Sequence, residues 1–470
     1  MPLVALTSIL DDPHASAGVP FGVTLLFAAL LVAMVACLAL EEKLHAKKSV
    51  IVGVFAIATL LLGAVFELLP FGSVIVGGHE VDLPVYIPAI DWNVIAIILG
   101  SSLFVDVTSR SGLFTWIAIR LTRASRGDPL RLLVFYGLMT VVFSAVLNNV
   151  TAMIIVGSLT GVSLKRLERG ELLLGFLIIE GLLTNVGGLL TLISSVPNII
   201  VGTTAGISFA RFLAVAGPYV VVATAVTIWL GARLFGVESL RSAAAREEAA
   251  RLVEGFDATD GIESRAFFWF GAVMLVAFIG VIATASILPW IRDLGMGYVA
   301  LTFGTVMLVR FKAVADKFYR AIDWDLLGFF AALFVVINVM EHALVLELIG
   351  AGLARVIALG ETVGAGLIVV VGAAASSVTD NIPLAAMLAK ILAATPEVGS
   401  DPDSPFWWAV VFGANLGGNL TPVGSASTLV AVTIIHKYEL KLSFLDFVRR
   451  AAPFAALQIL IAVAYVVTVV

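Results

Sequence analysis

One polar string is written twice inside apolar sequence. Asn185-Val186-Gly187-Gly188 runs on to Thr191 and Ser194-Ser195, and Asn415-Leu416-Gly417-Gly418 runs on to Thr421 and Gly424-Ser425. Upstream, Asn148-Asn149-Val150-Thr151 is matched by Asp380-Asn381-Ile382-Pro383, and Asp91-Trp92-Asn93 by Asp323-Trp324-Asp325. The three pairs keep their order at offsets of 230 (185 to 415), 232 (148 to 380) and 232 (91 to 323). A chain with this pattern is a duplicated unit. Each copy carries amide, hydroxyl and glycine residues where apolar neighbours make them costly.

Composition supplies the solvent. The chain is 60% hydrophobic and 13% charged, with mean hydropathy +1.09, against ~25% charged residues in an ordinary soluble domain. Apolar runs near bilayer length recur along it. We therefore expect an all-α polytopic membrane protein whose partner is the lipid bilayer. The net charge of -5 sits in short loops and points to no nucleic acid. The single cysteine, Cys37, forms no internal disulfide, and no Cys/His metal motif is present. The first 20 residues lack Lys and Arg, which argues against a cleaved signal peptide and for a polar tail over 1–20.

Hydropathy and breaks divide the rest. A first repeat covers 21–232, with an interrupted apolar stretch at 130–165 and a broken helix at 172–203. A charged linker covers 233–265. A second repeat covers 266–470, with an interrupted stretch at 364–395 and a broken helix at 406–435. Lys and Arg concentrate in the loops at 41–49, 110–129, 165–171, 233–265, 312–320 and 436–450, which places those loops in the cytoplasm. That assignment works only if 130–165 and 364–395 are re-entrant hairpins entering from opposite sides. The reading is about ten spanning helices, two hairpins, two inverted repeats and both termini non-cytoplasmic, in the cell (inner or plasma) membrane.

Inverted repeats with broken helices are a mark of secondary transporters. Non-helical backbone survives at membrane depth only where protein or a cavity covers it. The helix ends it exposes offer N–H groups to an anion or carbonyls to a cation. Candidate binding residues are therefore Asn148, Asn149, Thr151, Asn185, Gly187, Gly188, Thr191, Ser194, Ser195, Asn198, Asp380, Asn381, Asn415, Gly417, Gly418, Thr421 and Ser425. Glu180 and Asp380 are ionisable residues in apolar runs, which makes them functional candidates for a cation or proton. A sodium ion, if bound, is expected at Asn149, Asn185, Asp380, Asn381 and Asn415. Asp91 and Asp323 read as helix N-caps with a tryptophan anchor beside each.

The strings Ser144–Thr151, Thr184–Asn198, Ser377–Pro383, Trp324–Phe334 and Gly413–Ser425 resemble the ion transporter superfamily, with its citrate-transporter-like permease domain. The nearest resemblance is to the branch of arsenite permeases, sodium/proton antiporters and the melanosomal P protein, over about 20–470. It implies a homodimer with a scaffold and an elevator-like transport domain, and substrate and coupling ion at the hairpin tips and unwound helices. Two carboxylates usual in that branch are replaced. Asn148 stands where the first tip commonly has Asp, and Ser194-Ser195-Val196-Pro197-Asn198 stands in place of a Gly-Asp-Pro-Pro-Asn run.

The leading expectation is an ion-coupled secondary transporter of the sodium/proton-antiporter kind. An arsenite or small-anion (carboxylate) permease and a passive anion channel are the alternatives. No enzyme motif and no P-loop is found. No cofactor is expected beyond sodium or a proton as coupling ion.

Overall fold

The computed structural model describes residues 18–470 apart from 70–72, 77, 78, 260, 313, 314, 321 and 400, so most of the 1–20 tail lies outside the described residues. The first half holds α1 (Phe21–Ala39), α2 (Lys48–Val65), α3 (Trp92–Ser109), α4 (Leu113–Ala124), α5 (Pro129–Val146), α6 (Asn149–Arg166), α7 (Leu173–Gly188), α8 (Val196–Thr204) and α9 (Phe209–Leu234). A linker helix, α10 (Ala243–Glu254), follows. The second half holds α11 (Arg265–Thr284), α12 (Ile291–Arg310), α13 (Trp324–His342), α14 (Val345–Ile357), α15 (Glu361–Ser376), α16 (Asn381–Ala394), α17 (Pro405–Gly417), α18 (Ala426–Lys437) and α19 (Phe444–Thr468). The 70–90 loop carries a small antiparallel hairpin, β1 (Ser73–Val76) with β2 (His79–Asp82).

Among the described residues, nine helices are long and apolar enough to cross a bilayer. The set differs in detail from the expected ten. It includes α5, one arm of the first hairpin, and omits α12, whose helix is interrupted at Gly295 by a backbone with φ 77°. The broken helices contribute shorter pieces. Val32, Ile57 and Val276 are exposed on the outer faces of α1, α2 and α11. Such apolar surface is stable in lipid, not in water.

Local chemistry sets the helix starts. Asp91 accepts hydrogen bonds from the Asn93 and Val94 amides, and Asp323 from Leu326 N at 2.9 Å. Trp92 Nε1 donates to Ile87 O and Trp324 Nε1 to Tyr319 O, each at 3.1 Å. The twin Asp-Trp motifs thus build twin caps.

The two halves interlock. α2 packs along α13, and α12 along α3. The contacts share one register: Ser49 N donates to Asp325 Oδ1 and Gly297 N to Asn93 Oδ1, both at 3.2 Å. The hairpin arms pack on the broken helices in the same paired way, α5 on α7 and α15 on α17. The second pieces then cross over, α8 against α16 and α18 against α6. Every major packing of one half has its counterpart in the other.

The linker folds back on the base of the first hairpin. Arg166 Nη2 donates to Gly255 O at 3.1 Å and its guanidinium lies over Phe256. Asp128 accepts from Leu240 N at 2.9 Å. α10 is the helical part of this linker.

Candidate substrate cavity at the crossed helix breaks

Both breaks are held open by their own side chains. α7 ends at Gly188, and its free carbonyls are taken by Ser194 Oγ (2.6 Å to Gly188 O) and Asn198 Nδ2 (2.7 Å to Gly188 O, 2.9 Å to Thr191 O). Thr428, the counterpart of Asn198, donates to Ser425 O at 2.7 Å in the second break. Thr191 Oγ1 donates to Ala145 O and Thr421 Oγ1 to Ser377 O, each at 2.6 Å, tying each break to the adjoining hairpin tip. Backbone groups that lipid cannot satisfy are satisfied here by duplicated hydroxyls and amides.

The glycines serve close approach. Gly187 and Gly417 stay helical, and a Cβ on either would lie 2.6 Å from Val141 O or 2.3 Å from Ala373 O. The sequence motif reads equally as unwound backbone; the unwinding begins just after the glycines, at Leu189 and Gly418.

Where the breaks cross, the bonds become reciprocal. Ser195 Oγ of the first break donates to Asn415 Oδ1 at 2.7 Å, and Ser425 Oγ of the second donates to Asn185 Oδ1 at 2.9 Å. Asn415 Nδ2 donates to Asn198 Oδ1, and Asn185 Nδ2 to Asn419 Oδ1. Asn419 continues to Gln458 Oε1 at 2.7 Å, and Gln458 Nε2 to Thr227 Oγ1 at 2.8 Å. Asn149 Nδ2 reaches Asn185 Oδ1 at 3.4 Å, while Ser144 Oγ donates to Asn149 Oδ1 at 2.5 Å.

Beside this network lies a cavity of ≈ 270 Å³. Of the expected residues, Asn148, Asn149, Ser194, Ser195, Asn381 and Ser425 line it. Asn185, Thr191, Asn198, Asn415, Thr421, Gly187, Gly188, Gly417 and Gly418 stand behind as its frame. Thr151 sits one turn into α6, its amide bonded to the Asn148 cap at 2.7 Å. α3 adds Ser101 and Ser102, the start of α13 adds Asp323 and α18 adds Ser427, none of which was expected. Ser101-Ser102 are polar residues in an apolar helix, a signal that was available. Gln458 gave the same kind of signal, and Asn419 lies inside the repeated string. Their role depends on which helices cross, which the sequence does not show.

Two expected ionisable residues lie elsewhere. Asp380 caps α16 through Ile382 N, and its other oxygen accepts from Lys48 Nζ at 2.5 Å. Its charge is thus taken up by Lys48 at the start of α2, not turned into the cavity. Glu180, fully buried in α7, accepts from Thr160 Oγ1 at 2.6 Å.

The cavity's electrostatics follow from helix polarity. Residues at the starts of α6 (Asn148–Val150), α8 (Ser195–Pro197), α16 (Asn381, Ile382) and α18 (Ser425–Ser427) all line it. Each helix start carries roughly half a positive charge. Pro197 sits in the first turn of α8, where its missing N–H costs nothing. No Lys or Arg lines the cavity, and its one carboxylate, Asp323, is an exposed rim residue engaged as a cap. Of the oxygens expected to hold sodium, Asn185 Oδ1 accepts from Asn149, Ser425 and Ser427, Asn149 Oδ1 from Ser144, Asn415 Oδ1 from Ser195, and the Asp380 oxygens from Lys48 and the Ile382 amide.

Comparison with known proteins agrees with this architecture. A family profile described as "Citrate transporter" matches residues 36–413. An uncharacterized transporter of Mycobacterium tuberculosis is 31% identical over 399 residues, covering 84% of this chain and 90% of that protein. The human P protein is 26% identical over 511 residues, covering 90% of this chain and 60% of that protein. Among solved structures, the Alcanivorax borkumensis YdaH transporter superposes with TM-score 0.60 at 15% identity, over 90% of this chain and 98% of that one. Neisseria gonorrhoeae MtrF, described within a class of antimetabolite efflux pumps, gives 0.57 at 13% identity, over 90% and 95%. The structural likenesses show the fold, and the sequence matches show the lineage: the chain is an integral membrane transport protein and belongs to the citrate transporter family.

Proposed function

We propose that the protein is a secondary carrier of a small carboxylate anion. The observation that carries this reading is the convergence of four helix N-termini on a cavity whose polar lining, apart from Asp323 at the rim, is neutral hydroxyl and amide groups. Such ends hold anions without a formal positive charge. Two or three carboxylates fit a field of roughly four half-charges. The cavity has roughly nine water molecules' worth of volume, the scale of a compact di- or tricarboxylate. The sodium/proton-exchange reading rests on Asp380 and Glu180. Asp380 is paired with Lys48 and Glu180 does not line the cavity, which favours the anion reading.

The movement is of the elevator kind, in a homodimer. The hairpins and broken helices form the moving body, and α2, α3, α12 and α13 the frame. The two hairpin tips do not meet the frame symmetrically, which supports this assignment. The second tip, at Asp380, meets the start of α2 at Lys48, whereas the cavity beside the first tip is walled by Ser101 and Ser102 in the middle of α3. With the basic loops in the cytoplasm, the moving body stands displaced toward the cytoplasmic side.

The test is uptake of labelled citrate, succinate and malate into liposomes holding the purified protein, with sodium or proton gradients imposed. Saturable uptake, lost in Ser195→Ala with Ser425→Ala, is the expected result. Cation-driven pH change without anion uptake would replace this reading with exchange of sodium for protons. Non-saturable flux would make the protein a channel, and uptake of arsenite alone a metalloid carrier.

A further inference from the structure

Glu180 is the one glutamate that is buried among the described residues. Its Oε1 accepts a single hydrogen bond, from Thr160, and its buried Oε2 has no partner. The elements packed on α7 supply no counter-charge. α5 brings Arg131, exposed at its first turn, and Tyr136. α6 brings Lys165 and Arg166, engaged with Tyr438 and with Phe256 and Gly255. α9 brings Arg211, paired with Asp403, Arg233, lying over Trp229, and Tyr219, bonded to Gln458 O. α18 ends in His436, bonded to Leu442 O, and exposed Lys437. α19 brings Asp446, bonded to Ser443, exposed Arg449 and Arg450, and Tyr465, bonded to Val215 O. α17 carries no ionisable side chain. In the turn before α7, Arg169 and Glu171 pair with each other.

A carboxyl group so placed is electrically neutral only when it carries a proton. Buried hydroxyls lie between it and the 122–128 turn. Ser163 stands one turn from Thr160 on the same face of α6. Its Oγ bonds Tyr136 OH at 2.8 Å, and Tyr136 OH bonds Thr122 Oγ1 at 2.6 Å. Ser125 Oγ then donates to Thr122 O at 2.6 Å, at the turn that leads out of the helices. All five side chains are buried. Hydroxyls both donate and accept, so Ser163, Tyr136 and Thr122 form one continuous run of exchangeable groups on the face of α6 that carries Thr160.

We propose that Glu180 is a proton-binding site, separate from the anion cavity and bordered by these hydroxyls, and that it couples proton movement to the carrier cycle. Oε2 takes a proton from water to give the neutral acid and gives it back to water when the carboxylate re-forms; no other bond changes. The proposal rests on the carrier reading for its role in coupling, and its binding chemistry is measurable apart from any cargo.

The first experiment is infrared difference spectroscopy on the wild-type protein in lipid, with ¹³C-glutamate labelling, titrated in pH. A buried carboxylic-acid band that shifts with the label and disappears at high pH is expected, and its absence in Glu180→Gln assigns it. No such band in the wild type overturns the proposal, whether or not any variant folds. The second experiment is carboxylate uptake as a function of pH. In the wild type its steep limb approaches about tenfold per pH unit, the limit for one proton. Glu180→Gln is expected to keep exchange of internal for external anion while losing that pH dependence, and Glu180→Asp to displace the profile. A wild-type pH profile in Glu180→Gln overturns the coupling role. The band without carboxylate uptake in any variant leaves proton binding intact and removes the cargo assignment instead.

Discussion

Asn185 and Asn415 show how a costly residue becomes the cheapest solution. Each is nearly fully buried, yet each oxygen accepts a serine hydroxyl from the opposite break. Replacing either asparagine by alanine strands buried donors, at about 1–3 kcal/mol per unsatisfied group. We expect Asn185→Ala to lower the melting temperature in detergent more than Ser425→Ala, because it strands Ser425, Ser427, Asn149 and Asn419 together. Equal losses would mean that water fills the gap. Gly417→Ala makes a sharper case. The new Cβ meets Ala373 O at 2.3 Å, a backbone atom that can move only with its helix. Overpacking of this kind costs about 1–3 kcal/mol, and thermal unfolding should register it alongside a loss of uptake. Asparagine, glycine and serine at these positions were legible from the duplicated string. Their partners across the two breaks were not, because the bonds of Asn185 to Ser425, Ser427 and Asn419 and of Asn415 to Ser195 and Asn198 each join residues more than 200 positions apart.

At the scale of elements, the symmetry of the halves exposes one asymmetric contact. Asn93 and Asp325 are twins at offset 232, so their partners Gly297 and Ser49 correspond, and Lys48 corresponds to Met296. Asp380 corresponds to Asn148. The ion pair Lys48–Asp380 therefore has an uncharged counterpart, Asn148 with Met296, which the proposed elevator movement would form in its opposite position. Asp380 is 9% exposed and Lys48 31%. A pair midway between exposed and buried contributes about 1–3 kcal/mol. That is worth roughly 5- to 150-fold in the balance between two positions. Lys48→Met should shift the balance away from the present position. Labelling of Ser195→Cys from the cytoplasmic side, with Cys37 replaced, should fall by a factor in that range, and unchanged labelling would show that the pair does not set the balance. The Asp380 carboxylate was visible in the sequence as a functional candidate. That its partner is a lysine 332 residues away is set by the packing of the second hairpin tip on the start of α2.

At the scale of the whole molecule, interlocked halves imply that neither half folds into its final form alone. α2 has its long packing face on α13, and α12 on α3. Separate expression of 18–240 and 241–470 should yield fragments that purify together but not singly, and two stable separate halves would contradict the exchange. The expected orientation is tested by thiol labelling of intact cells. Ser286→Cys, exposed at the end of α11, should react from outside, and Ser242→Cys in the linker only after the membrane is opened. Hydropathy, repeat offsets and loop charge were enough to specify a duplicated helical membrane protein with two hairpins and two broken helices. Those properties are local: bilayer length, a missing backbone hydrogen bond and a basic loop are each set within about 20 residues. The folded chain alone decided which polar groups meet. It put four helix starts around one cavity, turned Asp380 toward Lys48 and left Glu180 without a counter-charge. Charge and hydrogen-bond energies act over a few ångströms, so they are settled by the crossing of helices from opposite halves, which no local pattern encodes.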